Sequence, residues 1–257
     1  MPTKIEWVRN SDGSQGETWN PVTGCTPVST GCDNCYARRM AVRFCGRGSY
    51  PADEPFRVEI HPHRLDIPLH WKKPRMVFVC SMGDLFHDDV PKSFIGDVWN
   101  VMARCPQHMF QVLTKRPARI SQALGPSGCG FYAKTGPVPR PQPNVWLGVT
   151  AENQAAANER IPILLDCPAA VRFVSCEPLL ERIGMRRCLS SLDWVIVGCE
   201  TGPGRRPCKL GWVLNIVEQG RAWDVPVFVK KLEIDGKVAG DPADWPEDLR
   251  VREYPKG

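Results

Sequence analysis

Three thiols, Cys25, Cys32 and Cys35, fall within one stretch from Asn20 to Met40, where Gly24, Pro27 and Gly31 turn the chain back on itself. A loop of this kind is suited to holding a metal. Two chemistries fit the thiols: an iron-sulfur cluster with one iron left open for a ligand, or a structural zinc whose fourth ligand lies elsewhere. For zinc the fourth ligand would come from Cys45, His61 or His63, and the protein would then be a binding module. The five histidines otherwise fit no metal-ligand or triad spacing, and His61-Pro62-His63 reads as a surface turn.

The elements that must position this loop are legible from residue 76 onward. Short apolar, β-branched runs occur at 76–79, 110–113, 145–149, 171–174, 194–197 and 225–229. Most are apolar on both alternating faces, as strands of a parallel sheet covered on both sides are. Helical stripes lie between them, at Phe94, Ile95, Val98, Val101 and Met102 and at Leu210, Val213, Leu214 and Val217. Ala37, Met40, Ala41 and Phe44 share a helical spacing directly after Cys35. With a short strand near 18–22, about six to seven β-α units result. The fold class expected is α/β, a partial or incomplete (β/α) barrel, with a doubly wound sheet as the second choice. One domain over 1–257 is expected, with an irregular connection over about 45–70 and a mobile Gly/Pro-rich loop over about 117–144.

In parallel α/β folds the active site lies at the carboxyl ends of the strands, and there the runs deliver polar groups in phase. Ser81 and Asp84 follow the first, Lys115 and Arg116 the second, Glu152 the third, Cys176 and Glu177 the fourth, and Gly198 and Glu200 the fifth, with Lys230 and Lys231 after the last. Carboxylates and hydroxyls suit an ammonium or a ribose, and Lys115 or Arg116 suits a carboxylate. The glycine loop at 198–204 allows close backbone approach but lacks the dinucleotide-binding spacing. Together with a cluster, these groups could hold a zwitterionic amino acid bearing a nucleoside. Cys176 reads first as a small buried hydrophobe. Glu177 and Glu200 would orient a cofactor, act as bases or form structural ion pairs.

Composition narrows the classes. The chain has 257 residues, 42% hydrophobic and 24% charged, and a net charge of +5, which is enough for one large core and too ordered in pattern for disorder. No run is long and apolar enough to span a membrane and no signal region opens the chain, so a soluble, cytoplasmic protein is expected. Twelve cysteines in a chain of this length point to reduced thiols and a metal site rather than a disulfide framework. Basic pairs, among them Arg38 and Arg39, Lys72 and Lys73, and Arg186 and Arg187, give mild support for an acidic partner.

These motifs carry a resemblance. Thr18 to Cys25, Gly31 to Ala37, Ser81-Met82 with Asp84 to His87, Val112 to Pro117, Asn144 to Val149, Arg172 to Leu180 and Asp193 to Gly198 resemble the phage-associated three-cysteine-motif proteins. That family is related to radical S-adenosylmethionine enzymes and, more distantly, to spore photoproduct lyase. The resemblance implies a 4Fe-4S cluster on Cys25, Cys32 and Cys35, with S-adenosylmethionine bound at the open iron. It places Ser81 and Asp84 near the methionine amino group or ribose, and Lys115 near the carboxylate. It further implies a flavodoxin- or ferredoxin-type electron donor and a 5′-deoxyadenosyl radical. Where the superfamily separates its first two cysteines by three residues, six lie between Cys25 and Cys32. Cys80 and Cys199 are atypical of the family and are not catalytic candidates. The substrate expected is a DNA or RNA base or a nucleotide, with Phe131 and Tyr132 available to stack it. A radical enzyme on a small metabolite or peptide, and a zinc-binding nucleic-acid module, are the alternatives.

Overall fold

The computed structural model describes residues 2–124, 132–133, 136–137, 141–185 and 188–255. The expected stacking residue Phe131 and the pair Arg186 and Arg187 lie outside them, and Tyr132 is described by its backbone alone.

In chain order the elements begin with β1 (Glu17–Trp19), β2 (Val22–Thr23), α1 (Tyr36–Arg43), β3 (Glu59–Ile60) and β4 (Met76–Val79). They continue with α2 (Lys92–Ala103), β5 (Met109–Thr114), α3 (Pro117–Leu124), β6 (Tyr132–Ala133), β7 (Gly136–Pro137), β8 (Val145–Thr150), α4 (Gln154–Leu165) and β9 (Val171–Cys176). Last come β10 (Trp194–Val197), α5 (Leu210–Ala222), β11 (Val227–Val229), β12 (Leu232–Ile234) and β13 (Lys237–Ala239). Seven strands form one sheet in the order β1-β4-β5-β8-β9-β10-β11. The pairings of β1 with β4, β4 with β5, β9 with β10 and β10 with β11 are parallel. An order that rises along the chain without reversal is that of an opened (β/α) barrel, not of a doubly wound sheet. The expected α/β class and strand number therefore hold. Strands β8 and β10 are buried at every position, which is why they read as unbroken apolar runs.

Three local expectations change. Residues 117–124 form α3 instead of loop, since proline at the first helical position costs no backbone hydrogen bond. Helix α1 buries Ala37 and Ala41 but leaves Met40 exposed, so its inward face is made only of small side chains. His61 is 5% exposed and bonded to Thr23 Oγ1 at 2.8 Å, so it belongs to the interior and not to a surface turn.

The chain divides into two compact units. One comprises residues 1–27, 35–147 and 167–170, the other 28–34, 148–166 and 171–257. The first packs Trp7 edge-on against Phe78 at 4.8 Å, and Trp19, Phe110 and the apolar face of α2 complete the core. Asn144 closes the end of α2 by donating to the carbonyls of Met102 and Cys105 at 2.9 and 3.1 Å. The second is centred on Trp194, which meets Phe173 at 5.7 Å and Phe228 at 6.2 Å. Its indole N–H donates to Glu253 O at 2.8 Å and so ties the C-terminal segment to β10. Asn153 caps α4, its side chain accepting from the Ala156 amide at 2.8 Å. Among the described residues no helix is long and apolar enough to cross a membrane.

Candidate active site

In the first unit the entry to the cysteine loop is fixed by backbone contact. Gly24 lies at φ +81°, and a Cβ there would stand 1.9 Å from Arg57 O. Only glycine allows this approach. Its amide donates to Met82 O at 2.9 Å, and the next amide, Cys25 N, donates to Phe56 O at 3.2 Å. Gly83 is pressed against the other side, where a Cβ would lie 2.8 Å from Gly24 O. Asn20 organises the turn after β4, its Oδ1 accepting from Met82 N at 2.9 Å and Ser81 Oγ at 3.2 Å. The Ser81 carbonyl accepts from the Tyr36 hydroxyl at the start of α1.

The half-buried Cys25 thiol receives a hydrogen bond from Arg116 Nη1 at 3.2 Å. The other arm of the guanidinium, Nη2, donates to Thr26 O at 2.8 Å and Thr26 Oγ1 at 2.9 Å. Burial disfavours this charge, but Cys25 and Asp84 outweigh it and raise the Arg116 pKa above its ordinary value. Asp84, itself buried, accepts from Thr114 Oγ1 at 2.8 Å, Phe86 N at 3.0 Å and Lys115 N at 3.2 Å, with Arg116 3.5 Å away. His87 completes the set. The Asp89 amide donates to its Nδ1 at 3.1 Å, so the neutral ring carries its proton on Nε2 and gives it to Thr26 Oγ1 at 2.8 Å. Burial first, then Arg116, lowers the His87 pKa and favours that neutral form.

In the second unit the segment containing Cys32 is held by charge. Glu200 accepts from Arg206 Nη2 at 2.5 Å, Arg206 N at 2.8 Å and Asn34 Nδ2 at 2.9 Å. Arg206 reaches on to Thr30 O at 2.8 Å and Asp33 at 3.1 Å. Burial would raise the Glu200 pKa, but these donors prevail and lower it. Glu152 is fully buried, paired with Arg160 at 2.9 Å, and its carboxylate fills the space that a side chain on Gly31 would need. Glu177 pairs with Lys230 at 2.8 Å and accepts from Ser175 Oγ at 3.3 Å. Gly198 makes room for it, since a Cβ would lie 2.9 Å from Glu177 Oε1. Cys176 is fully buried, and burial pushes its thiol pKa far up.

The sequence-predicted residues thus fall into two groups. Cys25, Cys35, Ser81, Asp84 and Lys115 belong to the first unit, and Cys32, Glu152, Cys176, Glu177, Gly198 and Glu200 to the second. Asp84, Glu152 and Glu200 already hold cationic or amide partners within the protein. Sequence reading missed Arg160 and Asn34, and it offered Lys115 or Arg116 for a ligand carboxylate; the structure commits the Arg116 side chain to Cys25 and Thr26. For Arg160 the available signal was an arginine among the alanines and apolar positions of α4.

A family model described as a protein of unknown function (DUF5131) matches residues 2–238. The chain belongs to the DUF5131 family. The match takes in every residue of the two DUF5131 groups above. No curated protein matches the chain. A solved structure of a spore photoproduct lyase mutant, with bound AdoMet and dinucleoside spore photoproduct, is similar at 10% identity and a TM-score of 0.44. That similarity covers 82% of this chain, which spans 62% of the lyase chain.

Cys25, Cys32 and Cys35 are each half-buried, and the Cys25 thiol is bonded to a guanidinium. For zinc, two of the three expected fourth ligands are otherwise placed. His61 Nε2 is engaged by Thr23, and the exposed Cys45 thiol lies against Ala52 O at 3.4 Å. Among the described residues no group of three or more His, Cys, Asp or Glu is disposed to hold a metal ion.

Proposed function

We propose that the chain is a radical S-adenosylmethionine enzyme acting on a nucleic-acid base or nucleotide. The observation that carries this reading is the Arg116 hydrogen bond to the Cys25 thiol, in a loop whose other two cysteines are free and half-buried. Cys25, Cys32 and Cys35 would hold a 4Fe-4S cluster. Held there, such a cluster would supply one-electron reduction of the S-adenosylmethionine sulfonium, the source of a 5′-deoxyadenosyl radical, with a flavodoxin- or ferredoxin-type protein as electron donor.

The chain's own residues bind and orient. The Gly24–Gly83 approach and Arg116 set the position of Cys25, and Arg206 and Asn34 hold the segment of Cys32. Asp84 fixes the Lys115 backbone, leaving the Lys115 ammonium for the methionine carboxylate and Ser81 for the amino group or ribose. Glu177, beside Gly198, would face the nucleoside, and Glu152 and Glu200 support the loop in the same assignment. Cys176, sealed from water, would return a hydrogen atom to the product radical. A reducing cytoplasmic setting suits the described cysteines, whose sulfurs form no disulfide with one another.

The test is anaerobic reconstitution with iron and sulfide, followed by reduction in the presence of S-adenosylmethionine. Release of 5′-deoxyadenosine is expected. Stoichiometric zinc, with no visible absorbance and no nucleoside product, would sink the reading. Binding to single-stranded DNA or RNA should weaken as salt rises, and binding indifferent to salt would remove nucleic acid as substrate.

A further inference from the structure

We propose that the outer face of α1, with the turn that follows it, docks the phosphate backbone of a single-stranded nucleic acid. This rests on the nucleic-acid part of the reading above and requires no metal at the cysteines. Between Asp33 and Asp53 the chain carries four arginines, Arg38, Arg39, Arg43 and Arg47, and no acidic residue. Helix α1 buries Ala37 and Ala41. The helical repeat then puts Arg39 and Arg43 on the side away from those alanines and Arg38 on the flank. Arg47 stands in a turn fixed by its own amide, which donates to Phe44 O at 2.9 Å, and by Phe44 stacked on Tyr50 at 6.1 Å. Arg38, Arg43 and Arg47 are exposed. Among the described residues no carboxylate pairs with these three, and Asp53, the next acid along the chain, is taken by Arg57 at 3.1 Å.

Two features favour a nucleic acid over an acidic protein. The cations occupy the middle of the exposed face, whereas charge is depleted at the centre of protein–protein interfaces and abundant in nucleic-acid ones. All four are arginines, whose planar forks match phosphate oxygens in pairs. Apolar side chains are set among them. Tyr36, Met40 and Val42 are exposed, Val42 at 59%, and the Tyr36 ring is steadied by its hydroxyl on the Ser81 carbonyl. Cations that track a backbone, interleaved with side chains for the bases to lie against, suit a single strand, because a duplex keeps its base faces stacked within.

The experiment is fluorescence anisotropy of a labelled single-stranded oligonucleotide titrated with the full-length chain as purified, over a series of salt concentrations. Wild type is compared with Arg38→Gln/Arg43→Gln and with Lys72→Gln/Lys73→Gln, a control that removes the same charge from other exposed positions of the first unit. The arginine variant is expected to bind about tenfold more weakly and to lose about 1.4 from its log–log salt slope, two phosphate contacts at about 0.7 each. The lysine variant should keep the wild-type slope, and wild type should prefer the single strand to the duplex of the same sequence. Equal losses in the two variants, or a wild-type slope in the arginine variant, overturn the inference, as does tighter binding of the duplex. Poly-L-glutamate of matched charge that displaces the strand as well as unlabelled oligonucleotide does overturns it in favour of an acidic protein partner. Wild-type protein that binds no strand, or binds it indifferently to salt, defeats the nucleic-acid reading itself, and this inference with it.

Discussion

Glu152 and Arg160 form an ion pair at 2.9 Å with side chains 0% and 4% exposed. Removing one partner of a buried pair strands the other charge, so Arg160→Met should cost about 3–5 kcal/mol. Replacing both by methionine should recover much of that loss. Urea denaturation of wild type and the two variants measures it, and equal stability of the single and double variants would show that burial of the lone carboxylate is not the cost.

Gly148→Ala should destabilise the β8–β9 region by overpacking. The added methyl would lie 2.5 Å from the Phe173 ring, and such insertions cost about 1–3 kcal/mol or more. Adding Phe173→Leu to Gly148→Ala should restore part of the loss, read as a partial return of the thermal midpoint.

His61 predicts a pH dependence. Burial first, then Arg64 and His63, lowers its pKa to about 4, while in the unfolded chain it titrates near 6.5. The folded state therefore favours the neutral ring. Its contribution is full above pH 6.5 and is lost as pH falls from 6.5 towards 4, by on the order of 3 kcal/mol. Stability measured at pH 7 and pH 4.5 should fall less for His61→Gln than for wild type, because the other buried histidines contribute equally to both.

The thiols should separate by role. Cys25→Ala, Cys32→Ala and Cys35→Ala are each expected to lose iron, sulfide and visible absorbance on reconstitution, and Cys80→Ala to keep them. Cys80 is buried at φ +60°, and its thiol pKa is raised mainly by burial. Iron analysis of purified variants decides the matter.

Gly24→Ala should uncouple loading from folding. A methyl 1.9 Å from Arg57 O, on a backbone at φ +81°, must displace the turn that carries Cys25. Circular dichroism is expected to stay near wild type while iron content drops by severalfold.

Much of the sheet is written in local composition. The runs at 76–79 and 194–197 coincide with β4 and β10, because a strand covered on both faces needs apolar side chains at every position. The stripes of α2 and α5 are likewise local. What local sequence conceals is how charges are neutralised. Asp84, Glu152 and Glu200 stand at strand ends as free ligand groups would, yet Thr114, Arg160, Arg206 and Asn34 engage them. Asn34 lies 166 residues from Glu200 in sequence, and no spacing rule connects them. Met40 misleads differently. A helix that buries only Ala37 and Ala41 leaves its longer apolar neighbour outside, and periodicity counts the three alike.

The rising strand order also bears on synthesis. Each new strand of the sheet pairs beside one already made, and none has to be inserted between two that have closed. A nascent chain can therefore build the sheet from one edge as it leaves the ribosome. Cys25 emerges 91 residues ahead of Arg116, so the thiol loop meets the cell before its guanidinium exists. During translation Cys25 depends on the reducing capacity of its surroundings, and only the residues after β5 bring it an internal guard.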